Sequence, residues 1–337
     1  MPEDLGPRTS DVGQKPRSRV KSWLIATRPK TLAAGIVPVL VGGGLALATN
    51  TVFSWPHWFG CLLGAMLIQI AVNFANDAFD GLSGADGADR LGPTRAVAAG
   101  LISARALFIA TAVILAFALL VGLWLSARGG WPIFGLGLVS LVCALAYTGG
   151  PFPLAHKGLG DVFVLLFFGH FAVLGTAWVQ VAPILAKVPT GSRFAFESRM
   201  ATSDTWWLGL PREWWVVATA VGLQAVTIIC VNNLRDRVSD ARVGKRTLAV
   251  HLGDRATRLY YAGLHGGATI LWLAAGLNWQ PWLLLPAALA GLGGAGLSYG
   301  VAHTTGAALN AYLGRSAALQ AACGLSAAVV LGTMGTS

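Results

Sequence analysis

Two short polar stretches interrupt an otherwise apolar chain, and both carry carboxylates at helical spacing. The first, Asn73-Phe-Ala-Asn76-Asp77-Ala-Phe-Asp80-Gly81, closes an apolar run that begins near Trp58. At a helical 100° per residue, Asn73, Asn76, Asp77 and Asp80 fall at about 0°, 300°, 40° and 340°, on one face. The second is Asn232-Asn233-Leu-Arg235-Asp236-Arg237-Val-Ser-Asp240. Relative to Asn232, its Asn233, Asp236 and Asp240 fall at about 100°, 40° and 80°. Carboxylates and amides at the end of a membrane helix cost free energy unless they bind something, so each face is a functional-site candidate. Hard oxygen ligands at this spacing suit Mg²⁺, which keeps some water and is commonly shared with substrate phosphates. Arg90, Arg95, Lys245 and Arg246 supply cations for phosphate oxygens. The two faces and their basic fringe therefore read as a Mg²⁺–diphosphate cradle, built to draw charge off a leaving pyrophosphate. Asp86 and Asp89 lie in a Gly-rich loop, where a solvated turn competes with a metal role.

The elements that position these groups must be membrane helices. Of the 337 residues 55% are hydrophobic and 11% charged, less than half the charged share of about a quarter in a soluble domain. With a mean hydropathy of +0.64, the chain reads as polytopic. Apolar runs long enough to span at about 20 residues each cover 31–49, 57–79, 102–125, 131–148, 161–183, 213–235, 256–277, 281–300 and 317–335. The expectation is an all-α fold of nine transmembrane helices in one domain, residues 23–337. A disordered tail (1–22) precedes it, and 184–212 forms an external loop. The tail lacks the apolar core of a signal peptide. Cys61, Cys143, Cys230 and Cys323 all lie in apolar runs, which speaks for buried small hydrophobes rather than a disulfide framework or zinc site.

Nine spans place the tail and the even-to-odd loops on one side, with nineteen Lys and Arg against five on the other. The positive-inside rule makes that side cytoplasmic and accounts for the net charge of +10 without nucleic acid. Both acidic faces then end helices on the cytoplasmic side, each before a basic loop. The pair reads as a weak internal repeat relating helices 2–3 to helices 6–7. Trp206, Trp207, Trp214 and Trp215 fit the opposite interfacial belt.

At these residues the chain resembles the UbiA superfamily of intramembrane prenyltransferases, closest to its 1,4-dihydroxy-2-naphthoate branch. The matching stretches run from Asn76-Asp77-Ala-Phe-Asp80 through Asp89-Arg90-Leu-Gly92-Pro93-Thr-Arg95, and from Asn232-Asn233 through Gly244-Lys245-Arg246-Thr247. Arg28-Pro29-Lys30-Thr31-Leu32 and Tyr147-Thr-Gly-Gly-Pro151, the latter continuing to Gly158-Leu-Gly160-Asp161, flank them in the expected order. Where the wider superfamily has a further Asp four residues after the second, this chain has Gly84 and then Asp86, the pattern of the naphthoate branch.

The resemblance implies nine helices around a cavity open to the cytoplasm and, laterally, to lipid. It implies Mg²⁺, a polyprenyl diphosphate donor, 1,4-dihydroxy-2-naphthoate as acceptor, a demethylmenaquinone product and a bacterial cytoplasmic membrane. Asp77, Asp80, Asp236 and Asp240, with Asp86 as a further candidate, would hold metal. Asn73, Asn76 and Asn233 would orient water and phosphate oxygens, and Lys30, Arg90, Arg95, Lys245 and Arg246 would compensate charge. Tyr147, with Phe79 and Phe152, would shield the allylic cation, or Tyr147 would steady a diphosphate oxygen; Lys157 or Asp161 would meet the acceptor. Three alternatives remain at this stage. One is another aromatic acceptor, 4-hydroxybenzoate or homogentisate. Another is a CDP-alcohol phosphotransferase, whose Asp-x-x-Asp-Gly start is present without the following Ala-Arg. The last is a transporter, whose ion sites belong near the bilayer midplane.

Overall fold

The computed structural model describes residues 18–49, 53–83, 91–92, 95–150, 153–185 and 210–334. The described residues are helical with no strand. In chain order they form α1 (Arg19–Thr27), α2 (Pro29–Leu47), α3 (Trp55–Ser83), α4 (Ala104–Ala146), α5 (Gly160–Val164), α6 (Ala172–Leu185), α7 (Arg212–Arg242), α8 (Leu248–Asn278), α9 (Leu284–Ala302) and α10 (Asn310–Met334). A π-helical stretch, Leu165–Phe171, joins α5 to α6 as one continuous rod.

The nine expected spans map onto these helices in order, with α4 supplying two. Its 43 residues would measure about 65 Å if straight, twice a bilayer core of about 30 Å. Instead Gly130 (φ 71°) breaks it just before Pro132, at a backbone angle that favours glycine. Both ends then return to one place: the Phe79 ring packs against Phe108 near the start of α4 (4.9 Å) and against Gly149 beyond its end. Among the described residues six helices are long and apolar enough to cross a membrane, counting α4 once, and a seventh arises if the bent pair α1–α2 is one span. α8 is not among those six, yet its inner face packs along α7 and α9.

The tail ends earlier than the sequence reading has it, because residues 19–22 belong to α1. Ser18 caps this helix, and Trp23 packs on Phe74 of α3. At Arg28, in the left-handed region (φ 50°), the chain bends by 53° into α2, with Pro29 supplying the pre-set first turn. Most of the external loop, residues 186–209 with Trp206 and Trp207, lies outside the described residues.

α7 is the most buried span. It packs against α8, α10 and the π-helical stretch. Backbones approach closely there: a Cβ on Gly169 would sit 2.8 Å from the Ala218 carbonyl oxygen, and one on Gly222 2.9 Å from Gly169 Cα. Lipid gives helices no hydrophobic drive to associate, so this small-residue crossing is where dispersion contacts accumulate.

Candidate active site

Folding α4 back on itself and centring α7 leaves a cavity of about 480 Å³ between α2, α3, α4, the α5–α6 rod and α7. One end is polar. There Asn73, Asn76 and Asp80 come from α3, and Asn232, Asn233, Asp236 and Asp240 come from α7. Arg28, Arg95, His156, Lys245 and Thr247 complete that end. The two faces read from the sequence thus meet across one mouth.

Asp80 is 3% exposed and lies at the centre of the charge. Arg95 donates to its Oδ2 at 2.8 Å and Lys245 to its Oδ1 at 2.9 Å, with His156 Nε2 at 3.9 Å. Burial, and then the Lys245 ammonium, hold His156 below its ordinary pKa, while Asp80 pulls the other way. On the opposite wall the Arg235 guanidinium grips both oxygens of Asp236 and also donates to Asn232 Oδ1 at 2.8 Å and Asn310 Oδ1 at 2.6 Å. Asn310 in turn donates to the Leu91 carbonyl at 2.8 Å, tying the segment after the first acidic motif to the start of α10.

Asp77 is placed differently from its neighbours. It is 1% exposed and outside the cavity wall. Its two oxygens accept the backbone N–H groups of Ala96 (2.8 Å) and Val97 (3.1 Å). At 40° it stood at the outer edge of the helical face, and that offset turns it toward the loop that carries Arg95. Each oxygen keeps another lone pair, but the contacts seen are those of an anchor.

Asn73 bonds to the α1–α2 corner, donating to Thr27 O (2.9 Å) and Thr31 Oγ1 (3.2 Å). Asn76 Oδ1 accepts from Thr148, beyond the end of α4. Tyr147 lines the cavity with its hydroxyl toward Gly160. Asp161, 5% exposed, is buried next to Gly160 of the cavity wall but is not itself part of that wall. Lys157 and Arg246 are exposed and outside the cavity lining, although the Arg246 backbone N–H bonds His156 O at 2.9 Å. Phe79 packs outside the cavity wall, between the two ends of α4. Lys30 lies in the first turn of α2, its side chain outside the description; Asp86, Asp89, Arg90 and Phe152 lie outside the described residues.

The sequence reading did not single out Arg28, Thr148, His156 or Arg235 as site residues. Arg28 precedes a proline, a position that ordinarily favours extended backbone. Nothing local forecasts its left-handed turn into the cavity. Arg235 was visible within the second motif, but its reach to both Asp236 and Asn310 is tertiary.

Among the described residues no three acidic, histidine or cysteine side chains converge on a common metal position. The donor set still fits a hard cation. Mg²⁺ is usually held by one or two carboxylates plus substrate phosphates and water, and Asp80, Asp236 and Asp240 present carboxylates from two walls of one cavity.

The family model for the UbiA prenyltransferase family matches residues 35–331. The chain belongs to the UbiA prenyltransferase family. It is a multi-pass membrane protein, as that membership and its apolar helices require. Among relatives of this UbiA protein, the 1,4-dihydroxy-2-naphthoate octaprenyltransferase of Mycobacterium tuberculosis is 35% identical over 269 residues, 78% of this chain and 80% of that protein. The Escherichia coli protein of the same name is 34% identical over 267 residues, 75% of each chain. A UbiA homologue from Archaeoglobus fulgidus, solved with DMAPP and Mg²⁺, shares the fold with a TM-score of 0.60 at 15% identity, covering 92% of this chain and 99% of that one.

Proposed function

We propose that this UbiA protein transfers a polyprenyl group from polyprenyl diphosphate to 1,4-dihydroxy-2-naphthoate, giving the quinol form of demethylmenaquinone (demethylmenaquinol), pyrophosphate and carbon dioxide. The observation that carries the reading is the meeting of two carboxylate–carboxamide faces, with Arg28, Arg95 and Lys245, at the polar end of a cavity whose remaining wall is mostly apolar. The relatives' names supply the acceptor class.

Asp80, Asp236 and Asp240 would hold Mg²⁺, which when bound neutralises the charge that develops on the leaving diphosphate. Arg95, Lys245 and Arg28 give that diphosphate charged donors. Asn76, Asn232 and Asn233 orient its remaining oxygens and water. Asp77 fixes the turn that delivers Arg95, so it acts through position. The apolar wall keeps water from the allylic carbon as its C–O bond breaks. Tyr147, Phe163 and Phe167, all in that wall, offer ring faces to the cation. A ring carbon of the naphthoate forms the new C–C bond, and the carboxylic acid group leaves as carbon dioxide and a proton. Asp161 and Lys157, neither of them part of the cavity wall, would meet the acceptor only through a change in the Tyr147–Gly160 segment. The lysine and arginine asymmetry supports a bacterial cytoplasmic membrane location, with the mouth and the N-terminus facing the cytoplasm.

The test is a transfer assay on membranes carrying the protein, with octaprenyl diphosphate and 1,4-dihydroxy-2-naphthoate, in Mg²⁺ or in EDTA. A metal-dependent demethylmenaquinol, identified by mass as such or as the demethylmenaquinone that air oxidises it to, is the expected result. Product only with 4-hydroxybenzoate or homogentisate would move the acceptor and keep the mechanism. No product with any aromatic acceptor would overturn the transferase reading.

A further inference from the structure

The last four helices carry a polar layer that prenyl transfer does not use. α8 packs against α7 and α9, and α10 packs against the same two, so the four form a ring. A hydrogen bond crosses that ring from Tyr261 Oη on α8 to Ser316 Oγ on α10, at 2.9 Å. α9 runs antiparallel to both of these helices. A Cβ on Gly276 would meet Leu284 and one on Gly294 would meet His265, whereas one on Gly300 would meet Tyr312 and one on Gly293 would meet Leu319. α8 and α10 are therefore parallel. One turn beyond Tyr261 and Ser316, on the same inward faces, stand His265 and Gln320. The adjacent Gly293 and Gly294 touch Leu319 and His265, which puts His265 and Gln320 at one level. Gln224 of α7 joins them: its neighbour Leu223 lies 3.2 Å from a Cβ placed on Gly267, and its Oε1 accepts from Trp272 Nε1 at 3.4 Å.

Gln224, His265 and Gln320 are 1%, 3% and 1% exposed, and none of them lines the catalytic cavity. Five of their polar atoms have no hydrogen-bond partner among the described residues: both ring nitrogens of His265, both amide atoms of Gln320, and Nε2 of Gln224. Polar atoms left unpaired at membrane depth are costly, and lipid supplies them no partner. Glycine is what admits the imidazole, since a Cβ on Gly294 would lie 2.8 Å from His265 Cβ and 3.0 Å from its Nδ1. The layer offers donors on both carboxamides, an acceptor on Gln320 Oε1, and a ring that does either. A small neutral molecule that both donates and accepts matches that set, and water is the smallest. Independently of the transfer reading, we infer that this layer is a bound-water site. It holds about one or two molecules with two to four protein partners each, and they join α7, α8 and α10 through one hydrogen-bonded node.

The experiment exposes the full chain in lipid nanodiscs to millisecond X-ray pulses, which make hydroxyl radicals from water where it stands, and reads side-chain oxidation by peptide mass. Tyr261 is 0% exposed and its ring lies 4.8 Å from that of His265. Radicals from bulk water therefore reach neither side chain. Trp214, 1% exposed and outside the layer, is a ring at least as readily oxidised and serves as the dry control. In the wild type His265 and Tyr261 are expected to be oxidised at least about tenfold faster than Trp214, because only they have water beside them. The Gln224→Leu/Gln320→Leu variant leaves His265 alone to hold water, fewer partners than a buried water needs, and its His265 and Tyr261 rates are expected to fall to that of Trp214. Wild-type rates at the Trp214 level would overturn the site and mean that the three side chains pair with one another directly. Rates unchanged in a variant that keeps the wild-type thermal midpoint would overturn it too. Where the variant does not fold, the wild-type comparison decides. The measurement reads no turnover, so the transfer reading stands or falls separately.

Discussion

Asp77 and Asp80, three residues apart on α3, do different work. Asp80 meets Arg95 and Lys245 at the mouth, whereas Asp77 accepts two backbone N–H groups from the turn that follows the first motif. Their asparagine variants are expected to differ in kind. Asp80→Asn removes a charge from the proposed metal and diphosphate end, and turnover should fall by about 100-fold or more, comparable to losing one electrostatic stabiliser in an active site. Its Mg²⁺ requirement should move to higher concentration, read by titrating the metal in the transfer assay. Asp77→Asn turns a donor toward one of two buried N–H groups, at a cost of about 1–3 kcal/mol. That should appear as a lower thermal midpoint in detergent and a raised KM for the diphosphate, with the Mg²⁺ midpoint unchanged. A shifted Mg²⁺ midpoint in Asp77→Asn would restore Asp77 as a metal ligand. The helical wheel placed both on one face, and only the packing of the 95–100 turn separated them.

The elements that hold the mouth are α3, α7 and the folded α4, and they depend on close backbone approach more than on charge. Gly222 of α7 meets Gly169 in the π-helical stretch with no room for a Cβ. Gly222→Leu should force the rod outward and destabilise the bundle by about 1–3 kcal/mol, the usual cost of overpacking. A fall in thermal midpoint for this variant, but not for Gly135→Leu, whose added Cβ meets nothing within 4 Å, is the check. The fold of α4 was legible as two apolar runs, because Ser126-Ala-Arg128-Gly129-Gly130 interrupts the pattern. The π-helical stretch was not, since its insertion changes no polar periodicity. Residues 19–22 were also missed as helix, because α1 is short and polar, and its order comes from Trp23 on Phe74 and from Asn73 holding Thr27 O.

At the scale of the whole molecule, the proposed cytoplasmic side of the mouth rests on the positive-inside asymmetry of the sequence. A cysteine introduced at exposed Arg246, beside the mouth, should react with a membrane-impermeant maleimide only in inverted vesicles; labelling from the outside of intact cells would reverse the orientation. Composition and apolar run length by themselves determined that the chain is a helical, multi-pass membrane protein. A bilayer requires every backbone polar group to be satisfied internally, and continuous apolar runs of about 20 residues do that as helices rather than as the shorter, alternating strands of a barrel. Residue spacing determined that two acidic faces exist and what ligand class suits them, because a helix fixes the angle between neighbours. The tertiary structure alone decided that those faces share one cavity. It also decided which carboxylates line it: Asp80, Asp236 and Asp240 do, while Asp77 and Asp161 are buried without being part of its wall. Arg28, His156 and Arg235 entered the site the same way. Such choices depend on which helices pack together and how each is rotated, and the periodicity of a single helix carries no record of its partner.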